Sequence, residues 1–371
     1  MSFTTPPSAC SADTSPDKGR LCCGAKQIDK QKKVFFVGIG GISMSSLAQI
    51  LINEGYKVTG SDIKSSHITK KISDLGAEIT IGHNKNNIKN PDLVVYTAAI
   101  NKNNPEYIEA INKCEKVVER STFLGELMKN YKNCCCISGT HGKTTTTSMC
   151  ALVTMESKCD PTVLIGGELK EIGGNIRIGS NETFITEACE YVDSFLEFFP
   201  TKAIITNIDE DHLDYFKDIN HIISSFNKFA NLLPENGTLI VTGEDENVTK
   251  ATENVKCNIL TYGLTSEYDC YPQDMTLLDN GCYEYTLCFK NKIFGRIRLN
   301  VPGKHNVLNS LSTAALAFDN GYSFETIKSG LENFFGTARR FEIKGEYNGA
   351  LIVDDYAHHP TEIKCTLLTL K

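Results

Sequence analysis

One loop in the middle of the chain combines the residue types that bind a phosphate chain. It consists of Gly139, Thr140, His141, Gly142, Lys143, Thr144 and Thr145. It follows the apolar run 134–137 and precedes helical spacing from about residue 146 to 155. Backbone N–H groups of such a loop hold phosphate oxygens, Lys143 neutralises charge, and the Thr144 hydroxyl can reach Mg²⁺. The spacing departs from the common phosphate loop, but a threonine-rich helix cap would not explain a lysine in a glycine turn.

A second glycine turn lies near the start of the chain. Gly38, Gly40 and Gly41 follow a predicted strand and precede a predicted helix. Glycines let a backbone approach a phosphate, and the helix N-terminus supplies N–H donors. Asp62 ends the next strand, where a ribose-binding acid would lie, but Ser43 occupies the third glycine position of the dinucleotide fingerprint. The turn therefore predicts a diphosphate site without establishing NAD, and a plain tight turn is the alternative.

Acidic residues follow two strands of the central region. Glu187 comes directly after the strand 183–186, Glu190 lies three residues later, and Asp209-Glu210-Asp211-His212 follows the strand 203–207. Oxygen ligands suit Mg²⁺, and a histidine could hold a second ion. A lone acidic loop is usually only solvated. Because the carboxyl ends of parallel strands meet at one edge of a sheet, these residues favour a metal site beside the phosphate loop.

Polar residues also mark three later segments. Gly303-Lys304-His305-Asn306 precedes a predicted helix, and Asn306 is explained as its N-cap, whereas Asn309 lies one turn further on, where capping no longer explains it. Arg339-Arg340 could bridge phosphates or form a solvated basic pair. Asp354-Asp355 and His358-His359, taken alone, are typical of a surface turn.

These motifs need a scaffold of alternating strands and helices. Strands are predicted over 33–37, 56–62, 79–81, 93–96, 134–137, 183–186, 203–207 and 238–242. Helices are predicted over 42–53, 68–75, 105–112, 146–155, 306–320 and 324–333. This alternation predicts parallel sheets covered by helices. Polar–apolar alternation over about 260–299 predicts an antiparallel insertion, and Asn348-Gly349 predicts a hairpin of 341–347 and 350–354.

The chain divides into four predicted segments. Residues 1–29 are rich in Ser, Thr, Pro and Ala and predict a disordered leader, and the units that follow are 30–131, 132–336 and 337–371. The expected class is α/β: a Rossmann-like N-terminal domain, a P-loop-type central ATPase domain with a mainly parallel sheet, and the start of a third α/β domain.

The composition argues against several classes of protein. With 38 Lys and Arg against 45 Asp and Glu, the net charge of −7 argues against a general nucleic-acid binder. No run of 18 apolar residues occurs, so no transmembrane helix is predicted. The 15 cysteines form no C-x-x-C pair and lie mostly in apolar runs, which predicts buried thiols in a reducing cytosol.

Together the motifs resemble those of the Mur ligases, in that family's order over roughly residues 32–371. The matching pieces are GIGGISMS, GSD, GTHGKTTTT, the 187–195 stretch, TNIDEDHLDYF, PGKHNVLNSL, GTARRFE and VDDYAHHPTE. The short GTHGKT loop is the family's own variant, which accounts for its poor fit to the common phosphate loop. HHPTE points to the member that adds L-alanine. The ligase that recycles murein tripeptides is the nearest rival.

The resemblance implies ATP-dependent ligation of L-alanine to the lactyl carboxylate of UDP-N-acetylmuramate, in cytoplasmic synthesis of peptidoglycan precursors. ATP would phosphorylate the carboxylate, and the amine of alanine would attack the acyl phosphate to give the amide, ADP and phosphate. The unit 30–131 would bind the UDP-sugar, 132–336 would bind ATP, and 337–371 would begin the ligase domain. No nucleic-acid or membrane partner is expected, and the chain would be a monomer or a dimer.

The resemblance also implies roles for individual residues. The catalytic residues would be Lys143, Glu187 and His212, and the Mg²⁺ ligands Thr144, Glu187 and His212. ATP would be bound by residues 139–145 with Asn309, Arg340 and Asp355. The UDP-sugar would be bound by Gly38, Gly40, Gly41, Ser43, Asp62 and His83. This chain departs from two patterns of the family. Where the family has E-A-D-E-S-D, the chain has Glu187-Ala-Cys-Glu-Tyr-Val-Asp193, and where the family has Arg-Ala-Glu, the chain has Arg120-Ser-Thr.

Two other functions stay open on the sequence. A nicotinamide oxidoreductase could use the Gly38 turn, but it would leave the Lys143 loop unexplained. A chain that binds nucleotides without ligating is the other alternative, because only about the last 35 residues match the third domain, which normally needs ~100 or more. The expectation is a chain that ends within that domain.

Overall fold

The computed structural model describes residues 32–370, so the predicted leader at 1–29 lies outside the described residues. The strands are β1 (Lys33–Val37), β2 (Lys57–Asp62), β3 (Glu78–Ile81), β4 (Leu93–Tyr96), β5 (Val117–Glu119), β6 (Asn133–Ser138), β7 (Thr162–Leu169), β8 (Gly174–Arg177), β9 (Thr183–Glu187), β10 (Lys202–Ile205), β11 (Thr238–Thr242), β12 (Asn258–Tyr262), β13 (Cys270–Leu277), β14 (Cys282–Phe289), β15 (Lys292–Pro302), β16 (Glu342–Tyr347) and β17 (Ala350–Asp354). The helices are α1 (Ile42–Asn53), α2 (His67–Asp74), α3 (Pro105–Lys113), α4 (Arg120–Met128), α5 (Lys143–Glu156), α6 (Ile219–Ala230), α7 (Glu246–Ala251), α8 (Lys304–Asp319), α9 (Phe324–Glu332) and α10 (Pro360–Thr369).

The first sheet is parallel throughout and has the strand order β3-β2-β1-β4-β5. Strand β1 is central, and its residues from Val34 to Val37 are all buried. A strand covered on both faces needs such a continuous apolar run. The strand order reverses beside β1, so the turn from β1 to α1 opens at the switch point where such sheets bind ligands. The predicted Rossmann-like arrangement is confirmed.

The second sheet has the order β15-β14-β13-β12-β11-β10-β6-β9-β7-β8. Its centre, from β12 to β7, is parallel, and β6 lies between β10 and β9. Side chains alternate across a strand, so Cys134 and Cys136 join the core on one face, while Cys135 and Ile137 join the core formed with α5, α8 and α9. The predicted α/β class with a mainly parallel central sheet is confirmed.

The segment predicted as an antiparallel insertion pairs as expected but is not separate. Strands β13, β14 and β15 are antiparallel neighbours. However, β13 also pairs with β12 through Tyr262 and Cys270, so the three strands extend the edge of the second sheet. A period of two in the sequence predicts strands but contains no information on which sheet they join.

Several elements were absent from the sequence prediction. Helix α4 is buried over most of its turns, so it shows no amphipathic stripe. Strand β7 contains Gly166-Gly167, which weakens a strand pattern.

Helix α5 was predicted, but it begins at Lys143 rather than near residue 146. Gly142 adopts a left-handed φ of 83° and ends the loop earlier.

The last described segment forms the predicted hairpin of β16 and β17, followed by α10. It contacts the second sheet through the backbone N–H of Ala338, which donates to the carbonyl of Glu168. Within residues 32–370, no helix has the length and apolar character needed to cross a membrane.

Candidate active site

The residues that directly follow β10 hold the loop between β6 and α5 in shape. The N–H of Thr140 donates to the carbonyl of Asn207 at 3.0 Å, and the N–H of His141 donates to the Asn207 side chain at 2.8 Å. Gly139 has a φ of 132°, and a Cβ there would lie 2.0 Å from Oγ1 of Thr206. Only glycine fits this position, and the loop is therefore preformed.

Lys143 lies inside this loop as a half-buried cation, with 15% of its side chain exposed. Its Nζ donates to the carbonyls of Gly139 and, at 3.1 Å, Thr140, and it forms an ion pair with Oε2 of Glu190 at 2.9 Å. Burial alone would lower the pKa of Lys143, but the Glu190 carboxylate outweighs it and the pKa is raised. The ammonium group is therefore charged and surrounded by backbone oxygens that a phosphate could replace.

Glu187 and Thr144 form an oxygen-rich pair beside Lys143. Oε1 of Glu187 accepts the N–H of Gly166 at 2.6 Å, and Oε2 accepts the Thr144 hydroxyl at 3.2 Å. Burial raises the pKa of Glu187 despite the N–H of Gly166 and the charge of Lys143. A desolvated carboxylate beside a hydroxyl is a donor set that Mg²⁺ takes. These two residues fit the predicted metal site.

The contacts of His212 are with other residues. Its φ is 53°, and its ring lies against Tyr191 with 4.6 Å between ring centres. Within residues 32–370, no hydrogen bond, ion pair or ring contact joins His212 to Glu187 or Thr144. The structure therefore brings together two of the three predicted metal ligands.

The other predicted ATP contacts line one large cleft. This cleft has a volume of about 970 Å³, and its wall includes His141, Gly142, Thr145, Asn309, Arg340 and Asp355. The amide of Asn309 is buried, donates to the Asn306 side chain at 3.0 Å, and lies so near the loop that a Cβ on Gly142 would approach its Oδ1 to 2.9 Å. The guanidinium of Arg340 lies over the ring of Tyr356. Residues far apart in sequence thus meet around the loop.

The predicted UDP-sugar residues lie around a separate cavity of about 360 Å³ in the first sheet's domain. Gly38, Gly41, Ser43, Asp62 and His83 line it, together with Arg120. Gly40 lies in the wall of the turn, where its N–H donates to Oδ2 of Asp62 at 2.8 Å. Asp62 therefore ties the second strand to the turn.

His83 is fixed by a buried acid that the sequence analysis did not identify. Its Nδ1 donates to Oε2 of Glu106 at 2.6 Å. Glu106 is fully buried and also accepts the Ser61 hydroxyl and the Asn87 amide, each at 2.5 Å. The acid orients the ring at the cavity wall. Glu106 lies in the first turn of α3, where an acid is also explained by the helix dipole, so the sequence carried no distinct signal.

Two more residues belong to the site. Glu190 was noted only as an acid three positions after Glu187, yet it is the ion-pair partner of Lys143. Arg120 was noted only as a departure from a family pattern, yet its guanidinium reaches Oγ of Ser43 at 3.4 Å and supplies positive charge to the smaller cavity. A lone charged residue at an element boundary gives no sequence signal for a long-range contact.

Comparisons with known proteins match this arrangement over nearly the whole described chain. Three family models match: "Mur ligase family, catalytic domain" over residues 33–132, "Mur ligase middle domain" over 137–317, and "Mur ligase, glutamate ligase domain" over 339–371. The UDP-N-acetylmuramate–L-alanine ligase of Clostridium tetani is 52% identical over 340 residues, which are 92% of this chain and 74% of that protein.

Solved structures give the same likeness. The UDP-N-acetylmuramate–alanine ligase MurC from Thermotoga maritima has a TM-score of 0.79 and 32% identity, over 92% of this chain and 78% of that one. A murein peptide ligase from Psychrobacter arcticus has a TM-score of 0.78 and 27% identity, over 92% and 76% of the two chains. The two scores are almost equal, so the backbone alone does not separate these two activities, and the sequence identity favours the first.

Proposed function

The chain belongs to the Mur ligase family, and from that membership we propose that it ligates L-alanine to UDP-N-acetylmuramate with conversion of ATP to ADP and phosphate. The observation that carries the proposal is the preformed glycine loop with Lys143 charged inside it, beside the Glu187–Thr144 pair. The name of the Clostridium tetani relative supports the choice of substrates.

The reaction has two steps with balanced atoms. An oxygen of the lactyl carboxylate attacks the γ-phosphorus of ATP, the bond to the β-phosphate oxygen breaks, and ADP leaves. The amine of L-alanine then attacks the acyl carbon, loses a proton, and expels inorganic phosphate. That phosphate keeps one oxygen of the original carboxylate.

Lys143 and the loop amides would hold the transferred phosphoryl group. Negative charge shifts toward the β–γ bridge during phosphoryl transfer, and a cation fixed near the phosphates stabilises it. In the structure the ammonium group contacts the carbonyls of Gly139 and Thr140 and the acid Glu190. We propose that the phosphate oxygens take the place of these carbonyls, while Glu190 keeps the lysine charged and oriented.

Glu187 and Thr144 would be ligands of Mg²⁺, and His212 would be a further ligand. When bound, Mg²⁺ neutralises charge on the phosphate oxygens. The partly buried carboxylate of Glu187 and the Thr144 hydroxyl at 3.2 Å support this assignment for the first two residues. For His212 the support is its motif alone, because its ring lies against Tyr191.

The remaining predicted residues would hold the substrates. Asn309, Arg340, Asp355 and the loop 139–145 would bind ATP, which their place around the large cleft supports. The turn of Gly38, Gly40 and Gly41 with Ser43, Asp62 and His83 would bind the UDP-sugar, and Arg120 would pair with its diphosphate. We propose a cytoplasmic location, where ATP and UDP-sugars are found, and a monomeric or dimeric state with no nucleic-acid or membrane partner.

The alternative activity is that of a murein peptide ligase, and the likeness to the Psychrobacter arcticus enzyme supports it as the second candidate. The test measures ADP formation by the 371-residue chain with UDP-N-acetylmuramate and either L-alanine or the tripeptide L-alanyl-γ-D-glutamyl-meso-diaminopimelate. We expect ADP with alanine and not with the tripeptide. The reverse result would establish the alternative.

A labelling experiment tests the acyl phosphate. With ¹⁸O in the lactyl carboxylate, we expect one labelled oxygen in each phosphate released. Release of unlabelled phosphate with amide formation would exclude that intermediate.

A further inference from the structure

Three side chains from distant parts of the chain converge at the rim of the large cleft. His141 lies in the loop between β6 and α5, and Asp209 lies in the loop after β10. His359 is the residue that caps the N-terminus of α10. Nε2 of His141 lies 3.3 Å from Oδ2 of Asp209, and Nδ1 of His359 lies 3.9 Å from the same oxygen. One ligand atom from each residue lies within 4.8 Å of the others.

The opposite ring nitrogen of each histidine already has an acceptor. Nδ1 of His141 contacts Oε1 of Glu362 at 3.2 Å, and Nε2 of His359 contacts the carbonyl of Glu210 at 3.0 Å. Metal-binding histidines have this second contact almost without exception, since it fixes the tautomer and turns the free lone pair toward the ion. Nε2 of His141 is hydrogen-bonded to Asp209, so a metal ion would take the place of the proton between them, and Nδ1 of His359 lies near the same carboxylate oxygen.

Two of the three separations between ligand atoms are close to those around a tetrahedral ion. With ligand bonds of ~2.0–2.1 Å, as for Zn²⁺, neighbouring ligand atoms lie about 3.3–3.4 Å apart. The His141–Asp209 separation of 3.3 Å meets this value, and the 3.9 Å of His359 needs a shift of about half an ångström. Nδ1 of His359 also accepts the N–H of Thr361 at 3.2 Å, a capping bond that an ion would replace.

We propose that His141, Asp209 and His359 form a binding site for a borderline transition-metal ion such as Zn²⁺. Two imidazoles and one carboxylate select such ions over Mg²⁺, which prefers oxygen ligands. The site shares no residue with the Glu187–Thr144 pair. Side-chain exposures of 15% for His141, 40% for Asp209 and 17% for His359 leave the ligands open to solvent on one side, where water would complete the coordination.

Such an ion would fasten the segment before α10 to the nucleotide loop. In the described structure this junction includes the Thr361 hydroxyl, which donates to Asp209 at 2.9 Å, the His141–Glu362 contact, and the contact of His359 with the carbonyl of Glu210. An ion that binds the folded chain and not the unfolded one raises its stability in proportion to the logarithm of ion concentration.

The experiment titrates Co²⁺, a spectroscopic substitute for Zn²⁺, into the 371-residue chain in excess Mg²⁺. We expect one Co²⁺ per chain, with the strong visible bands of a tetrahedral ion, no sulfur charge-transfer band, and displacement by one equivalent of Zn²⁺. His359→Asn and Asp209→Asn should each weaken Co²⁺ binding at least 10-fold. The matched control is His358→Asn, which changes the neighbouring, more exposed histidine and should stay within 2-fold.

Two results would overturn the proposal. One is equal Co²⁺ affinity in the wild type and in both ligand variants. The other is bound Co²⁺ with a thiolate band, which would assign the ion to cysteines. Circular dichroism checks the fold of each variant, and the wild-type spectrum decides the ligand type without any variant.

Discussion

The chain contains two glycine turns with the same local plan and different surroundings. One joins β1 to α1 and the other joins β6 to α5, each at the carboxyl end of a central parallel strand. Both contain a glycine with a left-handed φ, 82° at Gly38 and 132° at Gly139. Both therefore present backbone N–H groups at a helix N-terminus, which is a suitable place for a phosphate.

The charged groups around the two turns differ. In the first turn the backbone N–H of Gly40 donates to Asp62, and the nearby cation is Arg120, at the start of α4. The second turn encloses Lys143, which is paired with the buried acid Glu190 and next to Glu187. A turn alone gives a binding geometry, whereas phosphoryl transfer also needs charges fixed in a poorly solvated place. We therefore expect the first turn to hold a substrate and the second turn to take part in the reaction.

The largest effect on activity should come from removing the cation of the second turn, Lys143. Lys143→Met keeps the side-chain length and removes the charge. We expect alanine-dependent ADP formation to fall at least ~1000-fold in kcat, equivalent to about 4 kcal/mol of transition-state stabilisation. A coupled ADP assay at saturating substrates measures it.

The control for Lys143→Met separates catalysis from folding. The single variant leaves Glu190 buried without its partner, which costs stability. Adding Glu190→Gln should restore much of the thermal stability and none of the activity. Recovery of activity in the double variant would mean that Lys143 acts only as a structural ion pair.

The second prediction compares one glycine in each turn, Gly139 and Gly41, which differ in the space around them. At Gly139 a Cβ would lie 2.0 Å from Oγ1 of Thr206, and the φ of 132° disfavours any other residue. At Gly41 the nearest atom to a Cβ is a carbonyl oxygen at 3.5 Å, an ordinary contact. We expect Gly139→Ala to lower the free energy of unfolding by about 3 kcal/mol and Gly41→Ala by less than about 1 kcal/mol. Urea denaturation measures both, and equal losses would show that these two positions tolerate a methyl group equally.

The sequence predicted the turns better than their surroundings. Strand β4 and helix α1 have the predicted bounds, because their buried faces leave a clear apolar pattern. Both glycine turns were found, since phosphate binding needs glycine at fixed offsets from a strand. The partners were not found: Glu190 and Arg120 act through contacts made only after folding, and no local spacing encodes them. The same limit applies to α4, which is buried on too many sides to show a helical period.

The third prediction tests whether the first turn only binds. Arg120 is the cation at its cavity, so Arg120→Ala should raise KM for UDP-N-acetylmuramate about 10-fold or more and leave kcat within about 2-fold. Steady-state kinetics at saturating ATP and alanine give both constants. Lys57→Ala removes an exposed cation on β2 and should change neither. A fall in kcat without a change in KM would place Arg120 in the reaction instead.

The smallest expected effect is a loss of folding stability at high pH, which should differ between the two strands that lead into the turns. Strand β6 carries Cys135, and burial raises the pKa of this thiol from 9.0 to about 12, with smaller opposing effects of Lys202 and Asp319. Strand β1 has no ionisable group among its buried residues, Val34 to Val37. Because the raised pKa favours the neutral thiol in the folded state, the stability it gives is complete below pH 9 and is lost as the pH rises toward 12. At pH 10 the loss from this group is about 1 kcal/mol.

The matched variants are Cys135→Ala on β6 and Val34→Ala on β1, which both truncate a buried side chain. Both should lower the free energy of unfolding at pH 7. Between pH 8 and pH 10 the difference between wild type and Cys135→Ala should shrink by about 1 kcal/mol, whereas the difference for Val34→Ala should stay constant. The pKa values of the neighbouring thiols are raised mainly by their own burial and less by Cys135. Urea denaturation at each pH gives the comparison. A constant difference for Cys135→Ala as well would mean that this thiol is as easily ionised in the folded chain as in the unfolded one.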